Sequence, residues 1–218
     1  MKSTRDTIYD ELRHRLTAGR YPQDASLVPL ALSEEFAVSR TPVREALALL
    51  ERDGLLVSTR RGFAVRQRSD EEMLELFELR AVLDALLASS AAARRSPVDL
   101  ARLDALLEHA GTLDDPGQVR RSLNEWHDTV RHAAHNSTVS ALLHTVDAQV
   151  KTSAPWQTRT VDDTFDATLA EHRAITEAIR EGDAETARLR MLEHHEHDRD
   201  TRIRQKVRRD TGGGLPAG

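Results

Sequence analysis

Hydrophobic residues recur at helical spacing along almost the whole chain, with one interruption. Ile8, Leu12 and Leu16 stand four apart with Tyr9 beside them, and Ala18-Gly19 ends the run, which predicts a helix over residues 3–17. Tyr21-Pro22-Gln23-Asp24 has turn chemistry, and a short helical stretch follows over 30–36. The next start is marked by Ser39, a hydroxyl residue able to cap, with Pro42 and Glu45 in the expected first turn. Ala46, Leu47, Leu49 and Leu50 supply the buried side of this third helix, which ends near Arg52, where Asp53-Gly54 stops it. The helical period then gives way to two short strands, 55–59 and 62–65, around a basic Arg60-Arg61-Gly62 tip.

Three helices and a hairpin in this order make a winged helix-turn-helix. Past the wing the helical period returns. Met73, Leu76, Phe77, Leu79, Leu83, Leu86 and Leu87 mark a helix over 70–94, and no strand pattern follows. Further helices are predicted over 98–110, 116–134, 138–150, 162–180 and 183 to about 204, with loops at 111–115 and 151–160 and a turn at Gly182-Asp183. The expected fold is mainly α, an N-terminal winged helix-turn-helix followed by an all-α helical bundle. The expected domains are residues 1–69, 70–207 and a disordered tail over 208–218, whose end is rich in Gly.

Composition narrows the classes. The chain has 218 residues, 39% hydrophobic and 31% charged, and its 2 Trp, 2 Tyr and 4 Phe are too few for an all-β sandwich. There is no Cys, which excludes disulfides, thiolate nucleophiles and sulfur-ligated metal. The first residues lack an apolar run, and the Leu/Ala-rich stretch 81–93 is broken by Asp84 and too short for a bilayer. A cytoplasmic protein without a membrane partner is expected. Residues 1–69 hold 12 Lys/Arg against 9 Asp/Glu, so the net charge of −5 conceals a basic first third beside an acidic body. That asymmetry suits a polyanion-binding module joined to something else.

The chemistry of the first module points to duplex DNA. The amino end of a recognition helix can enter the major groove, where guanidinium groups reach guanine edges and small hydroxyls reach phosphates. Arg40 and Arg44 are four apart and share a face, with Ser39 and Thr41 beside them. Arg60, Arg61 and Gly62 place a basic tip at the adjacent minor groove. The plainer alternative is a solvated basic loop beside an ordinary capped helix.

The string Ser39-Arg40-Thr41-Pro42-Val43-Arg44-Glu45-Ala46-Leu47, followed by Leu50-Glu51-Arg52-Asp53-Gly54-Leu55 and the Gly62 wing, closely resembles the DNA-binding signature of the GntR family of bacterial transcription regulators. The resemblance implies a homodimer on a double-stranded, palindromic operator, with Arg40, Thr41 and Arg44 at bases and phosphates and Gly62 in the wing. Pro29 and Leu30 stand where relatives often carry an acidic and a basic residue, so one familiar DNA-contacting arginine is absent. The second half resembles the FadR-type effector domain, called FCD. Leu76-Phe77-Glu78-Leu79-Arg80, Asp84, Trp126-His127, Asn136, Glu171-His172, Ile179 to Asp183, Ala187 to Met191 and His194 carry that likeness as a spacing pattern.

His127, His172 and His194 each fall on an apolar helical stripe and are expected to face inward. A buried imidazole serves either as a hydrogen-bonded core residue or as a ligand, and three converging in a bundle suit a borderline divalent ion such as Zn²⁺ or Ni²⁺. The family resemblance implies such a site, with a carboxylate ligand four residues before the first His; here that position is Leu123, and Asn124 points about 100° away. Arg80 is a candidate effector contact, its alternative an ion pair with Asp84 at i+4. His195 and His197 cannot share the face of His194 and are expected to be solvated.

Two functional classes follow. One is a ligand-responsive transcription regulator, a repressor released from its operator by a small carboxylate-type metabolite. The other is a metal-dependent hydrolase or a metal sensor using the three histidines, although no general base, Ser-His-Asp order or Gly-rich phosphate loop accompanies them. A non-enzyme is expected.

Overall fold

A computed structural model describes residues 2–22, 25–153 and 165–212. Among them the order of elements is α1 (Thr4–Thr17), β1 (Ser26–Leu27), α2 (Pro29–Glu35), α3 (Arg40–Arg52), β2 (Leu56–Thr59), β3 (Gly62–Val65), α4 (Asp70–Arg94), α5 (Pro97–Gly111), α6 (Pro116–Ala133), α7 (Ser137–Thr152), α8 (Phe165–Glu181) and α9 (Ala184–Gly212). The described residues form two compact units. Residues 2–22, 25–76 and 145–153 make the first, and 77–144 with 165–212 the second. No helix among them is long and apolar enough to cross a membrane.

The first unit is a three-helix cluster against a small sheet. Ser3 caps α1 by accepting from the Asp6 amide, and Ile8, Leu12 and Leu16 turn inward. They meet Val43, Ala46, Leu47 and Leu50 of α3 in a core completed by Leu27, Leu55, Leu56 and Val65. Each Ile, Leu or Val side chain among them contributes about 1.5–3 kcal/mol by leaving water. The hairpin expected around Arg60-Arg61 is present, with Thr59 opposite Gly62. A third strand joins it: β1 pairs antiparallel with β3, Ser26 opposite Ala64 and Leu27 opposite Phe63, giving the order β1-β3-β2. Ala148 of α7 belongs to the same core, and Gln149 Nε2 donates to the Asp53 carbonyl at 2.9 Å. Neither contribution is marked by any period.

The second unit is all helical. Ser96 and Asp99 cap α5 reciprocally, Pro97 following at the first helical position. Asp115 caps α6 through the Gln118 amide at 2.7 Å, and Asp183 caps α9 through the Thr186 amide at 3.0 Å. The core gathers around Trp126, fully buried with Leu87, Leu103, Leu143, Ile175 and Met191. The indole N–H donates to Thr176 Oγ1 at 3.0 Å, so this large ring is buried with its polar atom satisfied.

Three expectations need correction. α3 begins at Arg40, so Glu45 falls beyond its first turn. α7 runs through Thr152, into the expected 151–160 loop. α9 continues past Arg204 to Gly212, through 208–212 of the expected disordered tail. Ion pairs one turn apart, Arg202 with Asp198 and Lys206 with Asp210, each 2.8 Å, support that extension without an apolar stripe. Gln23 and Asp24 of the expected turn, 154–160 of the expected loop, the helix start expected at 162–164 and the tail over 213–218 lie outside the described residues.

Candidate functional site

The first candidate surface is the amino end of α3 and the wing. Ser39 occupies the cap position in extended backbone, yet its hydroxyl makes no capping hydrogen bond. Val43, Ala46, Leu47 and Leu50 commit one side of α3 to the core, which forces Arg40, Thr41 and Arg44 outward. All three are exposed, as are Ser39, Arg60 and Arg61. None of the four arginines makes an ion pair with a carboxylate among the described residues, so their charge is available to an external anion. Leu49, expected among the buried residues, is only half-buried.

Gly62 begins β3 with φ +143, and a Cβ there would lie 2.5 Å from the carbonyl oxygen of Leu27. Glycine is thus required at the wing by the close approach of β1, a reason that exists whether or not a sugar or phosphate comes near.

The second candidate surface lies inside the helical unit, where His127 on α6, His172 on α8 and His194 on α9 converge. Their ring centroids are 4.5 Å apart for His172 and His194, 5.0 Å for His127 and His172, and 5.3 Å for His127 and His194. All three are buried, and one ligand nitrogen from each lies within 4.8 Å of the others. Hydrogen bonds fix two of the tautomers. His172 Nδ1 lies 2.6 Å from the Thr168 carbonyl, which can only accept, so the proton is on Nδ1 and Nε2 keeps its lone pair. His194 Nδ1 is held likewise by Glu171 at 2.7 Å. This is how metal-binding imidazoles are normally oriented. His127 Nδ1 is buried and meets no hydrogen-bond partner among the described residues. Burial and the neighbouring His172 push the His127 imidazolium well below its usual range, so the ring is neutral and able to ligate. The residues present therefore fit a divalent ion, and Leu123, buried in the apolar core, offers it nothing.

Two neighbours depart from expectation. His195 is not solvated: it is buried, with Nε2 3.0 Å from Asp84 Oδ2. Consecutive residues of α9 both turn inward here, which a single buried stripe does not anticipate. Asp84 does not pair with Arg80. Arg131 of α6 takes both of its oxygens, Nε and Nη2 each at 2.9 Å. Burial opposes ionisation of Asp84, but Arg131 and His195 outweigh it and hold the carboxyl well below the usual carboxylate range. Arg80 is buried on α4 and faces Asp198 of α9 at 3.7 Å. His197 is exposed as expected and shares Glu171 with His194, each Nδ1 2.7 Å from one carboxylate oxygen.

Comparisons with known proteins match two successive stretches of the chain. The family described as bacterial regulatory proteins, gntR family, matches residues 4–65, and the FCD domain matches residues 75–197. The chain is similar to the HTH-type transcriptional regulator YdhC of Bacillus subtilis (strain 168), 28% identical over 198 residues that span 88% of this chain and 87% of that one. It is also 28% identical over 187 residues to the HTH-type transcriptional regulator LutR of the same organism, covering 75% and 84%. Among solved structures, E. coli McbR/YncC superimposes with a TM-score of 0.81 over 94% of this chain and 99% of the other; at 21% identity this shows a shared fold.

Proposed function

Because the chain belongs to the gntR family of bacterial regulatory proteins, with an FCD domain behind its winged helix, we propose that it is a repressor released from a palindromic operator by a small carboxylate-type metabolite. It is a ligand-responsive DNA-binding transcription regulator, and the related proteins are regulators rather than enzymes. A hydrolase is correspondingly not favoured.

The observation that carries the DNA half is the group of exposed, unpaired guanidiniums at the amino end of α3 and at the wing. In this reading Arg40 and Arg44 reach guanine edges, Ser39 and Thr41 hold phosphates, and Arg60, Arg61 and Gly62 follow the minor groove. A homodimer repeats the pair on two half-sites one helical turn apart. The functional division is residues 1–69 for DNA and 70–207 for effector binding and dimerisation, in a cytoplasmic protein.

In the helical unit His127, His172 and His194 would hold a Zn²⁺ or Ni²⁺ ion, which when bound supplies a Lewis-acidic centre with open positions for an effector carboxylate. Thr168 and Glu171 keep His172 and His194 in the ligating tautomer. Arg80, buried on α4, is the proposed cationic contact to an anionic effector. The burial of the three ligand residues also favours a second reading, in which the ion itself is the signal.

The deciding experiment is a mobility shift of fragments from the gene's own upstream region, at low salt, with and without metal and a panel of small carboxylates. Specific retardation of a palindromic fragment, weakened by one carboxylate, is expected. Failure to shift any such fragment under every condition overturns the proposal, and release by metal without a carboxylate favours the sensor.

A further inference from the structure

Asp84 and His195 lie outside the three-imidazole set yet border it. With His127 they form another group of buried donors, one ligand atom from each within 4.8 Å of the others. His127 is common to both groups, and its ring is 5.8 Å from that of His195. The surrounding polar atoms are mostly satisfied, Asp84 by Arg131 and His195, His172 by Thr168, His194 by Glu171. His127 Nδ1, which takes part in none of those hydrogen bonds, is a fully buried nitrogen with no hydrogen-bond partner among the described residues. Such an atom calls for an occupant.

We propose that Asp84, His127 and His195 form a second divalent-cation locus in the helical unit, overlapping the three-histidine site through His127. It rests on the proposal that the imidazole cluster binds metal, and goes beyond it in naming a separate donor set. Two imidazoles and a carboxylate suit Zn²⁺ or Co²⁺. The carboxylate that position 123 lacks is supplied here from α4.

Arg131 is the competitor, since its guanidinium holds both Asp84 oxygens. It has another anion within reach, because Nη1 is already 3.0 Å from Asp128 Oδ1 at an exposed position. A divalent cation outbids a single positive charge for Asp84, and Arg131 keeps Asp128. With the ion in place His195 carries its proton on Nδ1, leaving Nε2 to ligate. A neutral imidazole offers one lone pair, so the two loci share His127 and are filled one at a time.

The test is a Co²⁺ titration of the full-length chain, followed by visible absorption and equilibrium dialysis. The wild type should bind one ion per chain. His172→Ala/His194→Ala should still bind one ion, with an altered spectrum and an affinity weaker by about tenfold or more. Adding His195→Gln should abolish that residual binding; Asp84→Asn should do the same, although it also removes the Arg131 partner. A double variant that is helical by circular dichroism and binds no Co²⁺ overturns this proposal alone. So does residual binding that survives His195→Gln. A wild type that binds no ion overturns both metal proposals. If that double variant does not fold, His172→Gln/His194→Gln is measured in its place, with the same expected and overturning results.

Discussion

His195 Nε2 stands 3.0 Å from Asp84 Oδ2, and the two residues, 111 positions apart, are both buried. Removing the imidazole leaves the carboxylate to Arg131 alone and opens a void beside it. His195→Ala should therefore cost about 1–3 kcal/mol in urea unfolding of the metal-free chain. His197→Ala, two residues on but exposed, should change stability by no more than about 0.5 kcal/mol. Equal effects would show that His195 is not packed in this way.

Arg44 is exposed on α3 while Val43 beside it is fully buried, so its guanidinium can be removed without touching the core. Arg44→Ala should abolish specific operator binding in a mobility shift and leave the far-ultraviolet circular dichroism unchanged. If Arg44 contacts a guanine, discrimination at that base pair falls by about 1–3 kcal/mol. Arg61→Ala, at the wing, should instead weaken binding to all sequences and lower the salt slope by about 1.

Gly62 tests the sheet. A methyl group there would meet the Leu27 carbonyl at 2.5 Å, and φ +143 is itself strained for any residue with a Cβ. Gly62→Ala should destabilise the winged unit by about 1–3 kcal/mol, read as a lower thermal midpoint, and should weaken operator binding along with it. Lost binding with an unchanged midpoint would instead point to a direct role of the glycine in docking.

Tyr9 joins α1 to the end of α3 through a 2.6 Å hydrogen bond from its hydroxyl to Asp53 Oδ2. Burial first, then this bond to an anion, pushes the phenol up to about 12 from 10.0. The folded chain retains a proton that the unfolded chain releases near pH 10. The contribution is complete below pH 10 and is lost as pH rises through about 12. The wild type should lose stability across that window, while Tyr9→Phe should lack this component of the loss; parallel pH profiles would contradict it.

What could be read in the sequence, and what could not, follows from the range of each signal. The helices were legible because period and caps are local: Ile8, Leu12 and Leu16 face one way whatever lies opposite, and Ser96 with Asp99 closes a start within four residues. The exposure of Arg40 and Arg44 followed from the buried stripe beside them. β1 was invisible because two residues have no period and its pairing with β3 is set by tertiary contact. The alternative offered for Arg80, an ion pair with Asp84, rests on nearness in sequence, whereas the fold brings Asp84 to Arg131 and His195 from other helices. Spacing places His195 in solvent only if α9 buries one face, and α9 buries more than one, His194 and His195 both turning inward. Long-range partners of buried charges are chosen by packing, which spacing does not encode.

Metal should stabilise the helical unit, because the proposed ligands are assembled by α6, α8 and α9 and are scattered in the unfolded chain. An ion that binds only the folded state adds about 2.7 kcal/mol at a free concentration one hundred times its Kd. Adding Zn²⁺ or Ni²⁺ to chelator-treated protein should thus raise the thermal midpoint in a concentration-dependent way, and a chelator should reverse it. His172→Ala should shrink the rise, since it removes a ligand that Thr168 holds in the binding tautomer. The same variant without metal should itself be less stable by about 1–3 kcal/mol, since His172 is buried and hydrogen-bonded to Thr168, so the metal-induced rise is compared within each variant. A midpoint indifferent to metal would leave the cluster as a hydrogen-bonded core and nothing more.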